Sequence, residues 1–169
     1  MRQLYLLRHA KSSWDDPDLS DRERPLAPRG ERAADAMAEH LEAEGIRPEL
    51  VLCSPARRTR QTLERVQPSL GDPRVVFGDD LYGASGGELL DRLRDVDDRT
   101  ATVMLIGHNP AIQELALSLA AAGADLESVR RKFPTGALAT LTVPGRWREL
   151  AEGTAELAAF TRPKQLGRA

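Results

Sequence analysis

The chain begins with an apolar run that stops abruptly at two basic side chains. Residues 4–7 are apolar and are followed by Arg8 and His9, which is the pattern of a buried strand that carries a cation and an imidazole to its carboxyl end. In open α/β sheets, ligands bind at that edge. An arginine beside a potential nucleophile there indicates chemistry on an anion such as phosphate. An isolated Arg-His pair is equally compatible with a surface arginine and a structural histidine.

Two later segments have the same pattern: an apolar run is followed by a helix-capping residue and a proline. They span residues 49–55 and 102–110 and end in Ser54-Pro55 and Asn109-Pro110. Each predicts a buried strand followed by a helix, with the proline at the first helical position. We expect these helices to run to about residue 68 and about residue 122.

The rest of the pattern completes an alternation of strands and helices. A polar loop (10–27) precedes a helix over about 28–44, and a short strand near 74–77 precedes a helix over about 86–96. Residues 137–143, a Pro144-Gly145 turn and residues 147–151 predict an antiparallel hairpin at the sheet edge. We therefore predict one α/β domain over residues 1–169: a three-layer α/β/α fold with a mostly parallel sheet, an antiparallel C-terminal edge hairpin and a frayed tail from about residue 161.

Composition narrows the function. The formal net charge is −2 and the isoelectric point is about 6.0, so we expect neither a nucleic acid nor a membrane as partner. The single cysteine, Cys53, excludes an internal disulfide and a cysteine-rich zinc site and favours a reducing compartment. We expect a cytoplasmic protein.

The carboxyl ends of the parallel strands bring three segments together. They carry Arg8 and His9, the start of the helix with Arg57 and Arg58, and His108. Helix N-termini present unpaired N–H groups and a partial positive charge. Two of them beside arginine and histidine side chains predict a phosphate pocket.

The same segments carry a resemblance to a known family. LLRHAKS, SPARRTRQT and GHNP, with DRERPLAPRG between the first two, resemble the histidine phosphatase superfamily, which has the phosphoglycerate-mutase-like fold. The chain length, the alanine in RHAKS, and the DRERPL and LYGAS segments are similar to the small SixA-type phosphohistidine phosphatases. The resemblance extends from about residue 3 to the hairpin.

The resemblance implies a role for four residues. His9 is the expected nucleophile, and Arg8, Arg58 and His108 are the expected phosphate ligands. Helical spacing alone does not separate Arg58 from Arg57, and the motif alignment selects Arg58, leaving Arg57 and Arg60 as solvated side chains. No cofactor and no metal are implied, and His9 and His108 lack a third ligand at characteristic spacing.

The general acid is not fixed by the sequence. Larger members of the family place a carboxylic acid after the third strand, where this chain offers Asp79, Asp80 and Glu88 in a short loop. Glu88 also fits a capping box with Ser85 at the start of a helix. Three carboxylates of the first loop also remain candidates: Asp16, Asp18 and Asp21.

We therefore expect a metal-independent phosphatase that works through a phosphohistidine enzyme intermediate. Its substrate is expected to be phosphohistidine on a protein. One alternative is a phosphatase or mutase of a small phosphorylated metabolite. A second is a phospho-binding module without turnover. The sequence predicts no particular oligomeric state.

Overall fold

The computed structural model describes residues 1–167 and places its strands in one sheet of order β3-β2-β4-β1-β6-β7-β5. The first four are parallel, β6 is antiparallel to β1, β7 is antiparallel to β6, and β5 is parallel to β7. The strands are β1 (Arg2–Arg8), β2 (Leu50–Cys53), β3 (Arg74–Phe77), β4 (Thr102–Gly107), β5 (Ala120–Ala122), β6 (Leu138–Val143) and β7 (Ala155–Thr161).

Helices cover both faces of this sheet. The alternation of side chains along β1 shows why: Leu4 and Leu6 enter one apolar core, and Leu7 enters the other. Helices α1 and α2 pack on the Leu7 face, and α3, α4 and α5 pack on the opposite face. The predicted three-layer α/β/α fold is confirmed. The helices are α1 (Pro28–Ala43), α2 (Arg57–Val66), α3 (Gly86–Arg94), α4 (Ala111–Leu119) and α5 (Leu126–Arg131). None of these helices has the length and hydropathy of a membrane-spanning segment.

The antiparallel hairpin exists, but its second strand was assigned to the wrong residues. Strand β6 pairs with β7, and residues 147–151 instead contain a 3-10 helix, Trp147–Glu149. Trp147 and Leu150 are both buried, and a spacing of three residues suits a helical turn rather than the alternation of a strand. The Trp147 indole also donates a hydrogen bond to the carbonyl of Thr100 at 2.7 Å.

The hairpin does not form the sheet edge, because β5 lies outside β7. The helix after β4 was expected to run to about residue 122, and the alanines there favour helix. The structure ends α4 at Leu119 and pairs Ala120 with Ala155 of β7. Tertiary pairing overrides local propensity here.

The helices that follow β2 and β4 both begin later than predicted. Helix α2 begins at Arg57, after Ala56, and α4 begins at Ala111, after Pro110. Ser54 therefore does not cap α2 as predicted. Its hydroxyl contacts His108 instead, as described below.

The tail predicted to fray from about residue 161 is ordered over the described residues. Strand β7 continues to Thr161, and a 3-10 helix follows over Pro163–Leu166. Pro163 is buried, and Leu166 packs against the core beneath α1. Residues 168 and 169 lie outside the described residues.

Candidate active site

The carboxyl ends of β1, β2 and β4 surround a cavity of about 590 Å³. The His9 N–H donates to the carbonyl of Gly107 at 3.0 Å, which fixes the end of β1 against the end of β4. Arg8, His9, Arg58 and His108 all line the cavity. The structure thus brings together the four side chains expected from three distant segments.

The His9 ring is held in one orientation by its own backbone neighbour. Its Nδ1 lies 2.7 Å from the carbonyl oxygen of Ala10. A carbonyl only accepts, so Nδ1 carries the proton and Nε2 keeps its lone pair. Burial lowers the pKa of His9 to about 3, opposed in part by the hydrogen bond to Ala10. The imidazole is therefore neutral at pH 7, with its free lone pair on Nε2.

His108 stands beside His9, with ring centroids 5.3 Å apart. Its Nε2 lies 2.8 Å from the Ser54 hydroxyl, and its Nδ1 lies 3.4 Å from Nη2 of Arg58. A guanidinium only donates, so Nε2 bears the proton of a neutral ring. Burial and, next, the charge of Arg58 lower the pKa of His108 to about 4. His108 is thus a second neutral imidazole beside His9.

Arg8 and Arg58 contribute positive charge to the cavity, which Lys11 and Arg24 also line. Arg8 donates from Nη1 to the carbonyl of Phe133 at 2.9 Å, and Arg58 donates from Nη1 to the carbonyl of Asp21 at 2.7 Å. The Nε atoms of both arginines are buried without a hydrogen-bond partner among residues 1–167. An unpaired buried donor costs free energy unless a ligand or water satisfies it. Both arginines therefore keep donor capacity for an anion.

Asp21 holds Arg58 in place. Its Oδ2 accepts from Arg58 Nη2 at 3.0 Å and from the Tyr82 hydroxyl at 2.6 Å. The hydrogen bond from Tyr82, followed by the contacts with Arg58, lowers the pKa of Asp21 to about 2. Asp21 is therefore a carboxylate throughout the physiological range. The sequence offered Asp21 only as one of several loop carboxylates, and it gave Tyr82 no role.

Arg57 and Arg58 have different surroundings although they are adjacent in α2. Arg58 is buried and lines the cavity, whereas Arg57 is half-buried, donates to the carbonyl of Glu23 at 3.3 Å and does not line it. Arg60 is exposed. Because α2 begins at Arg57, the Arg58 side chain faces the strand ends and those of Arg57 and Arg60 do not.

The comparisons with known proteins agree with this geometry. Residues 4–102 match the model of the histidine phosphatase superfamily (branch 1). The chain belongs to the histidine phosphatase superfamily. An uncharacterised protein of Mycobacterium tuberculosis is 38% identical over 94% of this chain and 100% of its own length. One of Mycobacterium leprae is 37% identical over the same shares.

Solved structures place this histidine phosphatase in the SixA-type branch. A structure described as a phosphohistidine phosphatase SixA from Nakamurella multipartitia has a TM-score of 0.85 and 32% identity, covering 96% of each chain. A protein histidine phosphatase SixA solved with tungstate has a TM-score of 0.80 and 26% identity, covering 97% of this chain and 99% of the other. The expected phosphoglycerate-mutase-like fold, SixA-type branch and histidine-type phosphatase activity are confirmed.

The candidate general acids that follow β3 lie outside the cavity of this phosphatase. Glu88 forms the capping box of α3: its carboxylate accepts from the Ser85 N–H, and its own N–H donates to the Ser85 hydroxyl, both at 3.1 Å. Asp80 lies 3.8 Å from Arg92, and Asp79 pairs with Arg22 at 2.7 Å. Within residues 1–167, Asp21 is the only carboxylate that lines the cavity with His9.

Metal ligands are not clustered in the described part of the chain: no group of three or more His, Cys, Asp or Glu side chains there is placed to hold a metal ion.

Proposed function

We propose that this histidine phosphatase works through a phosphohistidine intermediate on His9 and that its substrate is phosphohistidine on a protein. The observation that carries the proposal is the 2.7 Å contact between His9 Nδ1 and the Ala10 carbonyl. It leaves Nε2 unprotonated inside a cavity that Arg8 and Arg58 also line. A neutral, oriented imidazole is the form that attacks phosphorus.

The reaction has two displacements. In the first, a bond forms between His9 Nε2 and phosphorus while the bond to the leaving group breaks, and the leaving group departs with its electron pair. In the second, a water oxygen attacks phosphorus, the bond to Nε2 breaks, and the water gives up a proton as orthophosphate forms. Charge spreads over the equatorial oxygens in both steps. Arg8 and Arg58 stabilise it electrostatically.

We propose that the reaction needs no metal. Phosphoryl transfer depends on positioning and on positive charge around the transferred group. Arg8 and Arg58 supply that charge from the sides of the cavity. This arrangement is sufficient for an in-line displacement of the kind described above.

The state of Asp21 favours a phosphoramidate substrate. An alkoxide leaving from a phosphomonoester is strongly basic and benefits from a positioned proton donor. Asp21 is ionised and accepts hydrogen bonds from Arg58 and Tyr82, so it has no proton to donate at pH 7. Phosphohistidine avoids this requirement, because its ring leaves as neutral imidazole once it is protonated.

The test compares kcat/KM for a phosphohistidine peptide, p-nitrophenyl phosphate and 3-phosphoglycerate, with wild type and with Glu88→Gln. We expect the phosphohistidine peptide to be the best substrate, p-nitrophenyl phosphate to follow because its phenol is acidic, and Glu88→Gln to change neither. If 3-phosphoglycerate were best and Glu88→Gln removed only that activity, the small-metabolite alternative would replace this proposal. Binding without turnover of any of the three would support the phospho-binding alternative.

A further inference from the structure

A second concave surface adjoins the catalytic cavity. This basic cleft encloses about 490 Å³ and shares Lys11 and Thr135 with the cavity. No carboxylate of residues 1–167 lines it. Its cationic side chains are Lys11, Arg29, Arg131, Lys132, Arg162 and Lys164.

The cations of the basic cleft are not neutralised by the protein. No ion pair within residues 1–167 involves any of them, whereas Arg2, Arg65 and Arg99 elsewhere on the surface pair with carboxylates. All the lysines of the chain lie in this cleft, although the net charge is −2. Gathering unpaired like charges at one place raises electrostatic self-repulsion. An anionic partner would offset that cost.

The cleft is fixed relative to the nucleophile. Lys11 follows His9 by two residues, and its carbonyl lies so close to α1 that a Cβ at Gly30 would be 2.0 Å from it. On the other side, the Gly136 N–H donates to the carbonyl of His9 at 2.9 Å, which holds neighbouring Thr135 against the end of β1. The cleft therefore lies beside the cavity that holds His9, on the side of Lys11 and Thr135.

The position and exposure of these side chains indicate the partner. If the substrate is a histidine on a protein, the residues beside that histidine must lie on the surface around the cavity. Most of the cations of the cleft are exposed, and such side chains pair with carboxylates across protein interfaces. We infer that the basic cleft binds Asp and Glu side chains that flank the phosphohistidine of the substrate protein. This inference rests on the proposed function.

The experiment uses two phosphohistidine peptides of equal length, one with glutamates on both sides of the phosphohistidine and one with glutamines there. We expect wild type to show a kcat/KM about tenfold higher for the glutamate peptide, which corresponds to about 1.4 kcal/mol. The preference should shrink as salt is raised. The double variant Lys132→Glu/Lys164→Glu should lose the preference while hydrolysing p-nitrophenyl phosphate within about twofold of wild type, since exposed charges outside the site act mainly on association.

The matched control is Arg47→Glu/Arg74→Glu, which makes the same charge change outside the cleft, at Arg47 shortly before β2 and at Arg74, the first residue of β3. It should keep the preference. Equal kcat/KM for the two peptides in wild type, or a preference that persists in Lys132→Glu/Lys164→Glu, would overturn the inference. Faster hydrolysis of tripolyphosphate than of the glutamate peptide would also overturn it, because the cleft would then bind phosphate groups rather than carboxylates.

A second readout separates this inference from the proposed function. A fluorescent, unphosphorylated glutamate peptide should bind wild type and the control in an anisotropy titration and bind Lys132→Glu/Lys164→Glu more weakly. If wild type bound this peptide but hydrolysed no phosphohistidine, the proposed function would fail and the cleft would remain an acidic-peptide site. If hydrolysis proceeded without this binding difference, the inference alone would fail.

Discussion

Asp21 and Arg58 form an ion pair in the catalytic cavity, with the carboxylate Oδ2 3.0 Å from Nη2. Asp21 also accepts a hydrogen bond from the Tyr82 hydroxyl, so Arg58 and Tyr82 meet at one carboxylate. The carboxylate orients the arginine that we propose contacts the transferring phosphoryl group. We propose that Asp21 is a positioning residue and not a proton donor.

This role predicts the behaviour of Asp21→Asn. The amide keeps the shape of the side chain but loses the ion pair, so Arg58 should be less well oriented. We expect a lower kcat with a smaller change in KM and no new acid limb in the pH profile. Steady-state kinetics across pH would check this. A selective loss of activity on substrates with basic leaving groups would instead identify Asp21 as the general acid.

The adjacent arginines of α2 provide an internal control. Arg58→Ala should cost about 2 to 4 kcal/mol of transition-state stabilisation, the range for loss of one preorganised donor. Arg57→Ala should be nearly silent, because Arg57 reaches only the carbonyl of Glu23. Measurement of kcat/KM for both variants, with circular dichroism to confirm folding, shows which arginine stabilises the transition state. Equal losses or the reverse order would refute the assignment.

The two buried imidazoles predict a pH dependence of stability. The folded protein holds His9 and His108 neutral to about pH 3 and 4, whereas an unfolded chain protonates histidine near pH 6.5. As the pH falls below 6.5, the unfolded state therefore binds more protons and the free energy of unfolding falls.

Urea unfolding at several pH values, in wild type and in His9→Gln, measures this effect. Between pH 6 and pH 4, the free energy of unfolding should fall with decreasing pH more steeply in wild type than in His9→Gln. The difference in slope should be up to about 1.4 kcal/mol per pH unit, which is the slope for one proton. Parallel curves for the two proteins would mean that His9 is not held neutral.

Metal independence is a separate prediction. If Arg8 and Arg58 supply the positive charge for phosphoryl transfer, exhaustive treatment with EDTA should leave kcat/KM for p-nitrophenyl phosphate unchanged. The check is to assay the treated enzyme with and without added Mg²⁺ or Zn²⁺. Activity lost on chelation and restored by a divalent ion would contradict the mechanism.

The features readable from the sequence are those encoded by short apolar runs. Strands β1, β2 and β4 are continuous apolar segments, and their parallel arrangement places Arg8 and His108 at one edge. The second hairpin strand was assigned wrongly because Trp147 and Leu150 are apolar residues in a helical turn. Periodicity in so short a segment does not separate the two structures.

The features that could not be predicted from the sequence depend on tertiary contacts. Asp16, Asp18 and Asp21 occupy the same polar loop, and only the approach of Arg58 and Tyr82 distinguishes Asp21. The group that fixes the tautomer of His9 is a backbone carbonyl, which every residue possesses. Glu88 was ambiguous between a cap and an acid, and the structure shows the capping box.

The central claim is that the phosphoryl group passes through His9, and the most direct measurement is to trap it there. Enzyme mixed with ³²P-labelled phosphohistidine peptide and quenched within milliseconds in alkaline detergent should carry acid-labile, base-stable phosphate that maps to His9. The His9→Ala variant should fold, carry no label and lose turnover. Label on another residue, or turnover that survives in His9→Ala, would contradict the account.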